Sequence, residues 1–288
     1  MKTIPVFFTP KMTANAESFS PSAAKPALAV ESWSELNIPI KIIAPTAVTA
    51  EELSLAHDAD YVEGVLNCTK SNGFGNRLPD VAAALPFTSG AMVAAAREAM
   101  ENGSVAVAPV SGFHHAGYFD GGGYCTFNGL MVTAMMSGCK VGILDFDQHY
   151  GNGTDDIIEH LDLDWVEHYT AGNKYHKESQ AIEFLARIPE LIKQFSDCEV
   201  LLYQAGADPH IDDPLGGWLT TEQMFQRDRL VFETAKAMKL PVAWDLAGGY
   251  QKDIRNVLDI HDNTMRACWD VYGACSTLVL KAAFNPKL

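Results

Sequence analysis

Four short apolar segments, three of which end in glycine or aspartate, constrain the fold of this 288-residue chain; they cover residues 104–108, 141–147, 199–206 and 241–248. Because they alternate little between apolar and polar residues, they are typical of strands buried on both faces of a parallel sheet. Helical patterns lie between or beside them, at residues 88–102, 180–195 and 221–238. Strands that alternate with helices predict an α/β fold, a three-layer α/β/α arrangement with a mainly parallel central sheet.

The chain shows no internal repeat, low-complexity tract or long polar linker, so one domain over residues 1–288 is expected. Its 48% hydrophobic and 20% charged residues are typical of a globular protein. No apolar run approaches the length of a membrane span, and the apolar patch near the N-terminus is too short for a secretory signal, so we expect a cytoplasmic protein.

The formal charge of −15 argues against nucleic-acid binding, which requires a basic face. The acidity would suit a cationic substrate, and it would equally serve solubility. The six cysteines form no CxxC pair, so a thiolate zinc site is not expected.

Residues with catalytic chemistry follow all four apolar segments. In a parallel α/β sheet, ligands bind beyond the carboxyl ends of the strands, so the segments that follow these strands are expected to meet there. These segments are "SGFHHAG" (111–117), "DFDQHYGNGT" (145–154), "AGADPHIDDPLGG" (205–217) and "LAGGYQK" (246–252).

The second of these segments predicts a metal site. In an extended strand, Asp145, Asp147 and His149 would project to one side. If this segment stood alone, its polar residues could simply be a solvated loop. Asp208, which follows the next predicted strand, adds a further carboxylate at the same edge of the sheet and makes that interpretation weaker. The set of Asp147, His149 and Asp208 leaves one coordination position open, as a catalytic Zn²⁺ needs. Asp145 would then support a neighbouring group or, together with backbone carbonyls, bind a monovalent cation.

The tandem histidines predict acid–base chemistry. Hydrolysis of an amide needs a base for the attacking water and an acid for the leaving amine. We expect one histidine of the pair His114 and His115 to be held by Asp145 and the other to lie near Asn152, which adds no charge. Different surroundings would separate their pKa values. Tyr250, after two glycines, is a candidate donor to a developing oxyanion, although turn packing would also explain it.

At these residues the chain resembles the zinc-dependent histone deacetylase superfamily. The matching motifs are "GFHHA" (112–116), "GGGYC" (121–125), "DFDQHYGNGT" (145–154), "AGADPHIDDPLGG" (205–217) and "AGGYQK" (247–252). The "GNG" and "DPLGG" sequences, the "RDRLVF" stretch (227–232) and "GGYQK" are most similar to the class IV group. The resemblance runs from about His57 to the last motif, and the segment 19–30 departs from it.

The resemblance implies the arginase/deacetylase fold and zinc-dependent hydrolysis of an acetyl or longer acyl amide on lysine side chains. It also implies a role for each residue of the site: Zn²⁺ ligands Asp147, His149 and Asp208; general base and acid His115; electrostatic support from His114 with Asp145; carbonyl binding by Tyr250; a tunnel wall at Gly123 and Tyr124; and K⁺ near Asp145, Asp147 and His149.

Three alternatives remain open at this point. An acetylpolyamine or another small amide could be the substrate, although Leu215 stands where polyamine-specific relatives carry glutamate. A ureohydrolase with two Mn²⁺ would need a further carboxylate where Gly206 and His210 flank Asp208. A catalytically silent binding module is the third alternative, but no ligand, tandem histidine or tyrosine is missing.

Overall fold

A seven-stranded sheet forms the centre of the molecule in a computed structural model that describes residues 2–273. Its strands run in the order β2-β1-β3-β7-β6-β4-β5, and every neighbouring pair is parallel. The strands are β1 (Ile4–Phe7), β2 (Ile40–Ile43), β3 (Val105–Val107), β4 (Val141–Asp145), β5 (Val166–Thr170), β6 (Val200–Gln204) and β7 (Val242–Asp245).

Nine α-helices connect and cover these strands within the described residues. They are α1 (Lys25–Ser34), α2 (Ala50–Leu53), α3 (Ala59–Leu66), α4 (Pro79–Asn102), α5 (Gly129–Ser137), α6 (Asn152–His160), α7 (Ala181–Lys193), α8 (Thr221–Met238) and α9 (Ile254–Tyr272). Part of the chain predicted as one domain, namely Met1 and residues 274–288, lies outside the described residues. Within residues 2–273, no helix combines the length and apolarity needed to cross a membrane.

Alternate residues of the strands feed two hydrophobic clusters, one on each face of the sheet. In β4, Leu144 belongs to the cluster that includes residues of α1, α7, α8 and α9, whereas Ile143 belongs to the cluster on the opposite face, which includes residues of α2 to α6. Because both faces are covered, the central strands can be apolar without alternation. The predicted three-layer α/β/α architecture is confirmed.

The register of the central strands determines which residues reach the carboxyl edge of the sheet together. Asp145 in β4 pairs with Gln204 in β6, and Gln204 pairs with Asp245 in β7. All three side chains are buried, and they form a row beneath the loops that follow these strands. The polar side chains of these loops therefore rest on a polar layer of the sheet rather than on solvent.

The sequence predicted the four central strands and the helices α7 and α8 nearly at their observed bounds. The helix expected from residue 88 begins at Pro79 instead and contains Pro86. Val48 N–H donates to Pro86 O at 3.0 Å, which ties the loop around residue 48 to this helix. Strands β1, β2 and β5 were not predicted: β1 contains a proline, and β2 and β5 lie at the edges of the sheet, include charged residues and are partly exposed.

Candidate metal centre and active site

Asp147, His149 and Asp208 form one cluster beyond the carboxyl ends of β4 and β6. His149 Nδ1 lies 3.1 Å from Asp147 Oδ1 and 3.0 Å from Asp208 Oδ2. One ligand atom from each residue lies within 4.8 Å of the others, and both carboxylates are buried. The structure thus brings together the three residues expected from the sequence to hold a metal ion.

The route to this cluster differs from the one expected. Strand β4 ends at Asp145, so strand alternation does not place Asp145, Asp147 and His149 on one side. A bend follows, in which His149 N–H donates to Asp147 Oδ1 at 2.9 Å and Asp147 N–H donates to Asp145 Oδ1 at 3.0 Å. This bend brings His149 back to Asp147 and leaves Asp145 one layer below the cluster.

The electrostatics of the cluster favour a cation. Hydrogen bonds that His149 donates to both carboxylates raise its pKa to about 11. Burial and the Asp147 carboxylate raise the pKa of Asp208 to about 7, which shows the strain of holding two negative charges together. A divalent ion in place of the His149 Nδ1 proton would relieve it, and two carboxylates with one imidazole suit Zn²⁺.

Neighbouring groups orient the three candidate ligands. His149 Nε2–H donates to Leu215 O at 3.2 Å, so that Nδ1 faces the carboxylates. Gly248 N–H donates to Asp147 Oδ2 at 2.8 Å, and Gln148 N–H donates to Asp208 Oδ1 at 3.1 Å. Such supporting hydrogen bonds fix the direction of a metal ligand's lone pair. The residues present therefore fit a single divalent ion.

The tandem histidines have different partners. His114 Nδ1 lies 2.7 Å from Asp145 Oδ2, whereas His115 Nδ1 lies 2.6 Å from Asn152 Oδ1. Burial lowers the pKa of His114, but the carboxylates of Asp145 and Asp147 outweigh it and raise the value to about 9. Burial and the neighbouring His114 lower the pKa of His115. At neutral pH the first imidazole is therefore charged and the second is neutral.

Tyr250 lies beside the cluster on the loop that follows β7. The centroid of its ring is 6.4 Å from that of His149, and Gly249 before it has φ +141°, which favours glycine. The backbone N–H of Tyr250 donates to Asp213 Oδ2 at 2.7 Å. Burial raises the pKa of the Tyr250 phenol, so the hydroxyl keeps its proton as a donor.

The residues expected to contact substrate lie around the same site. Gly123 has φ +54°, and a Cβ there would lie 2.6 Å from His115 Cδ2, so only glycine lets this loop approach the histidine. The ring centroid of Tyr124 is 5.7 Å from that of Tyr250. Leu215 is 40% exposed at the rim, and its carbonyl accepts the His149 hydrogen bond. Their contact with substrate stays a prediction.

Two residues near the site were not predicted. Lys25 is fully buried, and its Nζ donates to the carbonyls of Ala247 and Gly248, three and two residues before Tyr250. Burial lowers the pKa of Lys25 to about 8, although Asp208 and Asp147 oppose this change. Phe19, which is 63% exposed, stacks at 6.4 Å from the Tyr250 ring. Both lie in the segment 19–30, where the motifs give no guidance.

A second group of possible ligands lies far from this site in the part of the chain that the structure describes. Glu167, Asp197 and Cys198 also approach one another. Lys140 Nζ lies 2.6 Å from a carboxylate oxygen of each acid, so its positive charge already balances one of their two negative charges. His210, which flanks Asp208 in sequence, lies 2.9 Å from Thr221 Oγ1 and is not part of the cluster. The two-ion alternative gains no further ligand from it.

The sequence matches a family model described as "Histone deacetylase domain" over residues 21–167 and 165–266. An uncharacterized protein of Picosynechococcus sp. is 28% identical over 267 residues, covering 81% of this chain and 87% of that protein. Histone deacetylase 2 of Arabidopsis thaliana is 26% identical over 257 residues, covering 75% of this chain and 65% of that protein. The chain thus spans slightly less than two thirds of the plant relative.

The fold is also similar to a solved structure. The crystal structure of the HDA15 HD domain superposes with a TM-score of 0.74 and covers 96% of this chain and 90% of that chain. At 19% sequence identity this likeness concerns the fold. It agrees with the three-layer architecture described above.

Replacing Gly248 with alanine tests the metal centre. A Cβ there would lie 2.3 Å from Asp208 Oδ2 and 2.7 Å from Asp147 Oδ2, so the carboxylates must move. We expect Gly248→Ala to fold but to weaken Zn²⁺ binding by about tenfold or more, measured by competition with a chromogenic chelator. Gly122→Ala is the control, because no atom lies within 4 Å of that Cβ position. Equal affinities in the two variants would contradict the assigned centre.

Proposed function

Because the chain belongs to the histone deacetylase family and is a deacetylase-type amidohydrolase, we propose that it hydrolyses the N-acyl amide of lysine side chains with one bound Zn²⁺. The ion would be held by Asp147, His149 and Asp208. The observation that carries this proposal is the position of that buried cluster, with the tandem histidines and the Tyr250 phenol around it. All the groups that amide hydrolysis requires lie at this one edge of the sheet.

When bound, Zn²⁺ would supply a Lewis acid that polarises the amide carbonyl and lowers the pKa of water. His115 is neutral, and its Nδ1–H donates to Asn152, so Nε2 is free to accept a proton from the attacking water. The same nitrogen then returns this proton to the leaving amine nitrogen, because the amine cannot leave as an anion. His115 therefore acts first as a base and then as an acid.

His114 and Tyr250 stabilise charge in this mechanism. His114, held protonated by Asp145, places a positive charge next to His115, with ring centroids 4.0 Å apart. The Tyr250 hydroxyl donates to the carbonyl oxygen as negative charge develops on it. Release of the carboxylate and the free amine completes the reaction.

The substrate is an acylated amine that passes Tyr124 and Leu215 at the mouth of the site. Gly123 and Tyr124 would line one side of the acyl-lysine chain, as the resemblance implies. Leu215 carries no charge that would attract the second ammonium group of a polyamine. This favours an acylated lysine side chain over an acylated polyamine as the substrate. A K⁺ ion near Asp145, Asp147 and His149 and the class IV assignment stay predictions that the resemblance alone supports.

Replacing Tyr250 with phenylalanine tests the chemistry. Loss of the single donor hydroxyl should lower kcat by about 10²- to 10³-fold, while Zn²⁺ affinity stays unchanged because Tyr250 is not a ligand. Turnover of an acetyl-lysine peptide by the zinc-loaded protein is the measurement, and Tyr150→Phe is the control, since Tyr150 OH donates to Asp155 instead. Normal turnover by Tyr250→Phe would remove this residue from the mechanism. Absence of turnover in the unchanged protein would favour a silent binding module.

Replacing Asn152 with aspartate tests the role of His115 through pH dependence. A carboxylate beside His115 Nδ1 stabilises the protonated imidazole and raises its pKa, by about one to two units. Because the base must start unprotonated, the acidic limb of the kcat/KM profile should move to higher pH by the same amount. Asn152→Ala removes the hydrogen bond without adding charge and should not move the limb upward. An unchanged limb in Asn152→Asp would contradict the assignment of His115 as the base.

A substrate panel distinguishes lysine side chains from small amides. We expect acyl-lysine peptides to give a higher kcat/KM than acetylated polyamines, because Leu215 offers no charge to a second ammonium group. Leu215→Glu should raise kcat/KM for the polyamine selectively, and Leu215→Gln, which is similar in size but uncharged, is the control. Preference of the unchanged protein for the polyamine would overturn the proposed substrate class.

A further inference from the structure

Arg227 is buried behind the metal cluster, although it lies in none of the strand-end segments. It belongs to the "RDRLVF" stretch on α8 and has no exposed surface. A buried arginine is costly unless its charge and its donors are matched, so its position calls for a role. The mechanism proposed above does not use it.

The contacts of Arg227 join the two loops that carry the candidate ligands. Its Nη1 donates to Gly206 O at 2.8 Å and to Phe146 O at 3.2 Å. Phe146 directly precedes Asp147, and Gly206 lies two residues before Asp208. One nitrogen thus bridges a carbonyl on each loop and limits how far the loops can separate.

The two loops touch at the point that this bridge holds. A Cβ at Gly206 would lie 2.7 Å from the Cα of Asp147, so the backbones meet in a contact that only glycine permits. Phe146 N–H also donates to Gln204 O at 3.1 Å. Repulsion between the Asp147 and Asp208 carboxylates acts to open this contact, and the guanidinium opposes it.

Asp228 fixes the guanidinium in place. Arg227 Nε donates to Asp228 Oδ1 at 2.8 Å, and the same buried carboxylate accepts from Tyr203 OH at 2.5 Å and from Thr264 Oγ1 at 2.6 Å. These partners lie on β6 and α9. The planar guanidinium can therefore hold its counterion with one nitrogen and the two loops with another, a geometry that lysine cannot reproduce.

We propose that Arg227 is a positioning residue that sets the spacing between Asp147 and Asp208 and so tunes the affinity of the metal centre. It acts through the main chain of both loops and does not touch substrate. The inference rests on the proposed function, because it assumes that these carboxylates bind a divalent ion. Two independent measurements, one of metal binding and one of turnover, separate the inference from that assumption.

The test compares three variants. Arg227→Lys keeps the charge but loses the planar fork, and Arg227→Met/Asp228→Asn removes both charges together so that no lone buried charge remains. Arg229→Met is the matched control, because Arg229 lies on the same helix with its Nε 2.7 Å from Glu233 at the surface. Circular dichroism and Tm without added metal report folding, and competition with a chromogenic chelator gives the Zn²⁺ Kd.

We expect the Zn²⁺ Kd to rise about 10- to 100-fold in the double variant, to rise less in Arg227→Lys, and to stay within about twofold in Arg229→Met. At saturating Zn²⁺, kcat for an acetyl-lysine peptide should fall by a smaller factor than the factor by which the Zn²⁺ Kd rises.

A purely structural role would lower Tm and leave the Zn²⁺ Kd of the folded protein unchanged, and that result would overturn the inference. If the double variant does not fold, an unchanged Kd in Arg227→Lys overturns it. Failure of the unchanged protein to bind Zn²⁺ would overturn the proposed function as well, whereas Zn²⁺ binding without turnover would count against the function alone.

Discussion

The repulsion between two buried carboxylates, Asp147 and Asp208, is the constraint on which the rest of the site depends. Both lie in the interior, where an unpaired charge is costly, and they share a single imidazole between them. Such a pair persists only when cations surround it. Basic residues in the loop after β3 and in α1 and α8 supply this positive charge around the loops that follow β4, β6 and β7, and a divalent ion would complete it.

Three buried basic groups approach the cluster from different directions. His114 lies 3.7 Å from Asp147 Oδ1 and is itself paired with Asp145. Lys25 reaches the loop before Tyr250 from α1, and Arg227 reaches the two ligand loops from α8. Each also fixes main chain or a catalytic side chain, so the groups that compensate charge are the groups that set geometry. This links the stability of the edge of the sheet to its chemistry.

The sequence predicted the parts of this arrangement that follow from local pattern. Apolar runs followed by aspartate and histidine gave the central strands and the residues 114, 147, 149, 208 and 250, because parallel strands bring their carboxyl ends together. Lys25 and Arg227 could not be predicted in the same way. Each is one basic residue at the buried side of a helix, and the loop carbonyls to which it donates lie more than 20 residues away in the sequence, so no local pattern links them. The bend at residues 146–149 was not predicted either. Strand alternation also groups Asp147 with His149, so nothing in the sequence indicated that a bend brings these two side chains together.

The central claim is that Asp147, His149 and Asp208 together hold one divalent ion. Anomalous diffraction at the zinc edge from crystals of the zinc-loaded protein measures this directly. The account predicts one strong peak per chain, within coordinating distance of His149 Nδ1 and of an oxygen from each of the two aspartates. A peak at Glu167, Asp197 and Cys198 with none at His149, or a pair of ions bridged by Asp208, would contradict it.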